Sequence, residues 1–110
     1  MTIRILGACG VGMSASLMMK KIEEAAKKRG LDVEITAMSV DKMRITDFSG
    51  IDLILLGPHV AYQEKAISEK ANKTATKVMV MSREDYAMFN SEIVLDKALE
   101  KLKPNIDSNK

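Results

Sequence analysis

Two spacings of apolar residues take turns along the chain, one near ~2 and one near ~3.6, and their succession predicts the architecture. Residues 3–8 (IRILGA) read as a first strand that ends in the turn Cys9-Gly10-Val11-Gly12. From Met13 to Arg29 the period becomes helical. Met13, Leu17, Met18, Ile22, Ala25 and Ala26 fall on one face, Lys21, Glu24, Lys28 and Arg29 on the other, and Gly30 supplies a stop. Residues 33–38 (VEITAM) alternate Val33, Ile35 and Ala37 against Glu34 and Thr36, as a half-exposed edge strand does. Residues 39–50 read as a connection rich in turn residues with room for a short helix. Residues 51–56 (IDLILL) are almost continuously apolar, which predicts a buried central strand broken by Gly57-Pro58. A helix is predicted over about 60–72, with Pro58 near its start. Residues 77–81 (KVMVM) form the fourth strand. Ser82 then reads as a cap with acids in the following turn. Asn90 is placed to cap a last helix carrying Leu95, Ala98, Leu99 and Leu102 on one stripe, which Pro104 ends.

Strands that alternate with helices predict an α/β fold. The expected form is a single-domain three-layer sandwich, a parallel sheet with helices on both faces. The alternating second strand belongs at an edge and the apolar third strand inside, so the expected order is 2-1-3-4. A folded domain over residues 1–103 is expected, followed by a polar tail over 104–110. Ligands of such sheets bind beyond the carboxyl ends of the strands, where the winding reverses. Here that crevice lies between strands one and three, entered by residues 9–16 and 57–62.

Composition narrows the chemistry. The chain has 110 residues, 46% hydrophobic and 29% charged, which fits a domain with its own core and excludes a disordered class. Two Tyr, two Phe and no Trp make that core aliphatic, with nine Met contributing. A net charge of +2, spread among alternating acids and bases, excludes a nucleic-acid partner held by phosphate neutralisation. One cysteine excludes an internal disulfide framework and a paired-thiol metal or redox site, and one histidine excludes a histidine cluster, so no metal and no cofactor is expected. No apolar run reaches the ~20 residues of a membrane helix, and residues 2–5 are too short and charged for a secretory signal. The expectation is a cytoplasmic chain with a reduced thiol and no direct membrane insertion.

That thiol stands in the one segment built for an anion. Cys9-Gly10-Val11-Gly12-Met13-Ser14-Ala15-Ser16 leaves a strand and opens a helix. The first amides of a helix lack internal partners and carry partial positive charge. A glycine-containing turn can aim further amides inward, and Ser14 and Ser16 add hydroxyl donors. Together they form a phosphate cradle without a basic side chain. The same field lowers the pKa of Cys9 and makes it a nucleophile. The bland alternative is a small buried hydrophobe. Neither the complete Gly-x-x-x-x-Gly-Lys-Ser/Thr loop nor Gly-x-Gly-x-x-Gly is present.

The run from Cys9 to Leu17 resembles the phosphocysteine loop of enzyme IIB subunits of the bacterial sugar phosphotransferase system, lactose/cellobiose (chitobiose) type, whose pattern is Cys-x-x-Gly-Met-Ser-x-Ser-Leu after a strand. Gly57-Pro58-His59-Val60-Ala61-Tyr62 resembles that family's Gly-Pro-Gln-x-x-Tyr segment, and the order of elements matches over nearly the whole chain. The resemblance implies a relay. A phosphohistidine on a IIA protein donates to Cys9, and the phosphocysteine donates to a sugar held by the IIC permease, so the sugar is met only through IIC. It implies that residues 10–16 hold the phosphoryl group and that Gly57, Pro58, His59 and Tyr62 form a rim. Two departures stand out: Gly10 replaces a Ser found in some relatives, and His59 replaces the usual Gln.

Two rival readings start from the same cysteine. A small tyrosine phosphatase places Cys in a strand-to-helix loop but needs an Arg that clamps the phosphate. Ala15 occupies that position, and no Arg or Lys lies between Cys9 and Leu17. Its general acid would fall to Asp85, beside Tyr86, which a capping role explains better. A redox-sensing thiol lacks a resolving partner. His59 could serve as an acid or base, but a position at a helix start accounts for it. Met13, Met18 and Met19 read mainly as core, with Val11 and Met13 the better choices for an apolar docking rim.

Overall fold

Four parallel strands form one sheet in the order β2-β1-β3-β4, as the alternation of periods predicts. The structure is a computed structural model that describes residues 2–9 and 13–102; for Cys9 and residues 13–16 it describes the backbone only. The strands are β1 (Ile3–Cys9), β2 (Val33–Ser39), β3 (Leu53–Leu56) and β4 (Lys77–Val80). The helices are α1 (Met13–Lys28), α2 (Val40–Arg44), α3 (Glu64–Asn72), α4 (Arg83–Ala87) and α5 (Ser91–Leu102). Registers run Ile5 to Leu53 and to Ile35, and Leu53 to Lys77, so all four carboxyl ends meet at one edge.

The pleat of the central strands divides the core into two layers. Ile5, Leu53 and Leu55 face α1 and α5, where they bury Met18, Ile22, Ala26, Leu95 and Ala98. Leu6, Ala8, Ile54 and Leu56 face the other way, onto Val40, Met43, Phe48, Val60 and Ile67. All four residues of β3 are fully buried, which is why its sequence runs apolar without alternation. At the edge, β2 buries Val33 and half-buries Ile35 against the first layer, but the expected alternation stops there: Ala37 is exposed and Met38 packs on the second layer.

Two further local features depart from the sequence reading. Leu17, expected on the buried stripe of α1, is 47% exposed, and Met19 takes the inward position. Gly7 makes this possible: a β-carbon there would stand 2.5 Å from Met19 Sδ. The expected helix over 60–72 becomes 3-10 turns over Pro58–Gln63 followed by α3. Val60 causes the break. It leaves helical geometry (φ −118°, ψ 19°) to bury its side chain under the sheet. The connection after β2 contains the short helix α2, whose cap Ser39 Oγ accepts from the Lys42 amide at 3.2 Å. At the end of α1, Gly30 adopts φ +74°, and the amides of Gly30 and Leu31 donate back to Lys27 O and Ala26 O, closing the helix in a Schellman arrangement.

Candidate functional site at the carboxyl edge of the sheet

Backbone ladders extend past the ends of the strands and set the floor of the site. The Gly57 amide donates to Ala8 O at 2.8 Å, and the Met81 amide donates to Leu56 O at 2.8 Å. Gly57 therefore sits against the last residues of β1, and Met81 against the last residue of β3. The segments that follow, Pro58–Gln63 and α4, leave the edge side by side.

Cys9 is the final residue of β1, paired with Ser39 on β2. α1 starts at Met13, so residues 13–16 form its first turn, where the amides lack partners within the helix. Gly10, Val11 and Gly12, expected to hold the phosphoryl group, lie outside the described residues, as do the side chains of Cys9, Met13, Ser14, Ala15 and Ser16. The proposed rim is described. Gly57 is buried, Pro58 half-buried, His59 exposed, and Tyr62 is 75% exposed.

One neighbourhood escaped the sequence reading. Pro58 and His59 share a groove of about 350 Å³ with Arg83, Tyr86 and Ala87 of α4. The His59 and Tyr86 rings meet in a T-shaped contact, with centroids 5.5 Å apart and planes at 72°. Among the described residues the Arg83 side chain makes no hydrogen bond or ion pair. Its helix neighbours at i+3 and i+4 are Tyr86 and Ala87, neither a carboxylate. The signal was present in the sequence as a cation directly after a strand-ending cap, but its pairing with His59 needs the sheet.

Behind this groove α4 is held firmly. Ser82 Oγ accepts from the Asp85 amide at 3.0 Å. The Asp85 carboxylate, only 6% exposed, accepts from Lys97 Nζ at 2.6 Å and from Asn90 Nδ2 at 3.2 Å. The bonds from Lys97 and Asn90 hold its pKa below the usual carboxylate range against the opposing cost of burial. Asp85 is thus ionised at neutral pH and committed to its partners, which removes the acid that a phosphatase would need. Asn90 precedes α5 as expected; its carbonyl accepts from the Val94 amide while its side chain turns to Asp85.

Among the described residues no group of three His, Cys, Asp or Glu side chains can hold a metal ion, and no helix is long and apolar enough to cross a membrane. Residues 4–97 match the model of the lactose/cellobiose-specific IIB subunit of the PTS system. The chain is 37% identical over 92 residues to the galactose-specific EIIB component of the PTS system of Lactococcus lactis subsp. cremoris, covering 80% of this chain and 85% of the relative. Identity and coverage are the same for the cellobiose-specific EIIB component of Lactococcus lactis subsp. lactis. The structure of the lactose-specific IIB component domain from Streptococcus pneumoniae superposes with a TM-score of 0.81 at 16% identity, covering 92% of this chain and 98% of that one, a likeness of fold.

Proposed function

Because the chain belongs to the lactose/cellobiose-specific IIB subunits of the sugar phosphotransferase system, we propose that it is the phosphoryl carrier of one such system, with Cys9 as the carrying residue. The observation that carries this reading is the position of Cys9. It ends a central strand at the carboxyl edge, and a 16-residue helix starts four positions later at Met13. The helix dipole and unpaired first-turn amides favour both a thiolate and a phosphate at that point.

In the proposed reaction the Cys9 thiolate attacks phosphorus of a phosphohistidine on the IIA protein. The S–P bond forms as the N–P bond breaks, and the imidazole keeps the electron pair. A hydroxyl of a sugar held by the IIC permease then attacks the phosphocysteine, forming an O–P bond, releasing the thiolate and giving up its proton. Residues 10–16 hold the phosphoryl oxygens throughout, with the hydroxyls of Ser14 and Ser16 and backbone amides as donors. Without an arginine in that loop, transfer to a positioned acceptor is favoured over release to water. The relay runs in the cytoplasm and needs no cofactor. Residues 1–103 form the working domain and 104–110 a tail. The galactose and cellobiose relatives are equally similar to this chain, so the choice of sugar is assigned to the permease.

The test is intact-mass spectrometry after incubation with phosphoenolpyruvate and the upstream relay proteins. The wild-type chain gains one phosphoryl group and Cys9→Ser gains none. An unmodified wild type, or an equally modified Cys9→Ser, overturns the reading.

A further inference from the structure

Resting on that reading, we propose that the groove between Pro58–His59 and α4 is a docking subsite for a carboxylate side chain of the phospho-donor protein, with Arg83 as the cation that recognises it. The groove joins apolar walls (Pro58, Ala87 and the Tyr86 ring) to an exposed guanidinium that has no partner among the described residues. Such a fork favours a planar, bidentate anion. The nearby acids do not offset it. Asp85 is matched by Lys97, and Glu84, at i+1, points away around the helix. The rings of His59 and Tyr86 brace each other, so the wall opposite Arg83 is set before a partner arrives. Tyr62 (75% exposed) follows His59 on the same 3-10 segment and Met88 (69%) directly follows α4, a mixture of exposed apolar surface and one cation that fits a protein rather than a small solute.

Position decides between docking and chemistry. The groove lies over the ends of β3 and β4, and β4 stands two strands from β1, about 10 Å away at ~4.8 Å per strand. That places it beside the phosphoryl group on Cys9 rather than on it. A typical protein contact of ~800 Å² per partner has a radius near 16 Å, so any protein whose phosphohistidine reaches Cys9 covers the groove. The donor is the partner that arrives with the phosphoryl charge. The acceptor meets a carrier that already bears that charge, and a cation at the rim speeds the approach of the first anion most.

Quench-flow measurement of transfer from the phosphorylated donor, over a range of donor concentration and salt, separates the outcomes. Arg83→Gln lowers the second-order rate constant about tenfold at low salt, and Arg83→Glu lowers it further. Arg83→Lys recovers most of the loss. The saturated rate stays within about twofold, and the salt dependence flattens. Transfer from preloaded phosphocysteine to the sugar through the permease keeps its rate. Lys101→Glu, a distant charge reversal on α5, serves as the control and changes neither step. An unchanged second-order constant in Arg83→Glu overturns docking while leaving the carrier reading intact. A loss confined to the saturated rate assigns Arg83 to the phosphoryl group instead, and a loss confined to the sugar step assigns the groove to the acceptor; either overturns the proposal. A wild-type chain that takes up no phosphoryl group overturns both readings.

Discussion

The carboxyl edge of the sheet has two halves built on opposite plans. At the end of β1 the chain passes from Cys9 to α1 with no cation between residues 9 and 17, so the proposed phosphoryl site has only backbone amides and hydroxyls to draw on. At the ends of β3 and β4 the order is reversed: a cation, Arg83, stands over an apolar groove on a short helix. The difference is a division of labour. In the proposed carrier, amides would hold a transferable group without trapping it in an ion pair, whereas a guanidinium two strands away would attract a partner without taking the phosphoryl group from the thiol.

The right half depends on Asp85, and removing its charge has the largest expected effect there. Asp85→Asn keeps the shape but leaves Lys97 without its counter-ion, at a cost of about 1–3 kcal/mol in denaturant unfolding. The sign with pH follows from the lowered folded-state pKa. The stabilisation is complete above the unfolded value of ~3.9 and is lost as pH falls through the lower folded value. The wild type and Asp85→Asn therefore differ fully at pH 7 and converge in strong acid. Equal stabilities at pH 7 would show that Lys97 and Asn90 contribute nothing net. Phosphoryl acceptance by Cys9, in the left half, remains.

Ser82→Ala comes next, at about 1 kcal/mol, because only one capping bond is lost. It sharpens the comparison because Arg83 is the very next residue. If rigidity of α4 is what presents Arg83, this variant loses donor affinity beyond its small loss of stability, and a titration with the phosphorylated donor reads it. A loss of stability with unchanged transfer would separate the cap from the groove.

How much of this was legible before folding depends on whether a signal is local. The unbroken LILL of β3 and the stop at Gly30 each encode their own surroundings, whereas the alternation of β2 placed the strand at the edge but misplaced Ala37, which is exposed. Ser82 as a cap is local too. Leu17 was misplaced on the buried stripe because the inward place belongs to Met19, for whose thioether Gly7, on another element, leaves space. The helix over 60–72 broke because Val60 is claimed by the core below the sheet. The pairing of His59 with Tyr86, 27 positions apart, arises only when β3 and β4 lie side by side, and that of Asp85 with Lys97 only when α4 and α5 pack together. At the Cys9 end the candidate motif is local as well, with the cysteine, glycines and serines inside eight residues, and residues 10–12 and the motif's side chains lie outside the described residues.

The smallest expected effect concerns what joins the halves. Arg29, just beyond the end of α1, donates to Glu92 at 2.6 Å and to Asp96 at 2.5 Å, both on α5. These bonds raise its pKa further and keep it charged at every working pH. All three side chains meet water, however, and exposed pairs recover little of the entropy lost in holding long side chains still. Packing of α1 and α5 on the same layer of core holds the halves together without them. Arg29→Gln should therefore lower the thermal midpoint by less than Ser82→Ala does, and the difference from wild type should disappear at 1 M salt, where the screening length falls to about 3 Å. A loss as large as that of Asp85→Asn, surviving in high salt, would mean that the seam between α1 and α5 is held by these charges rather than by the core, and the two halves would then be coupled where the packing makes them independent.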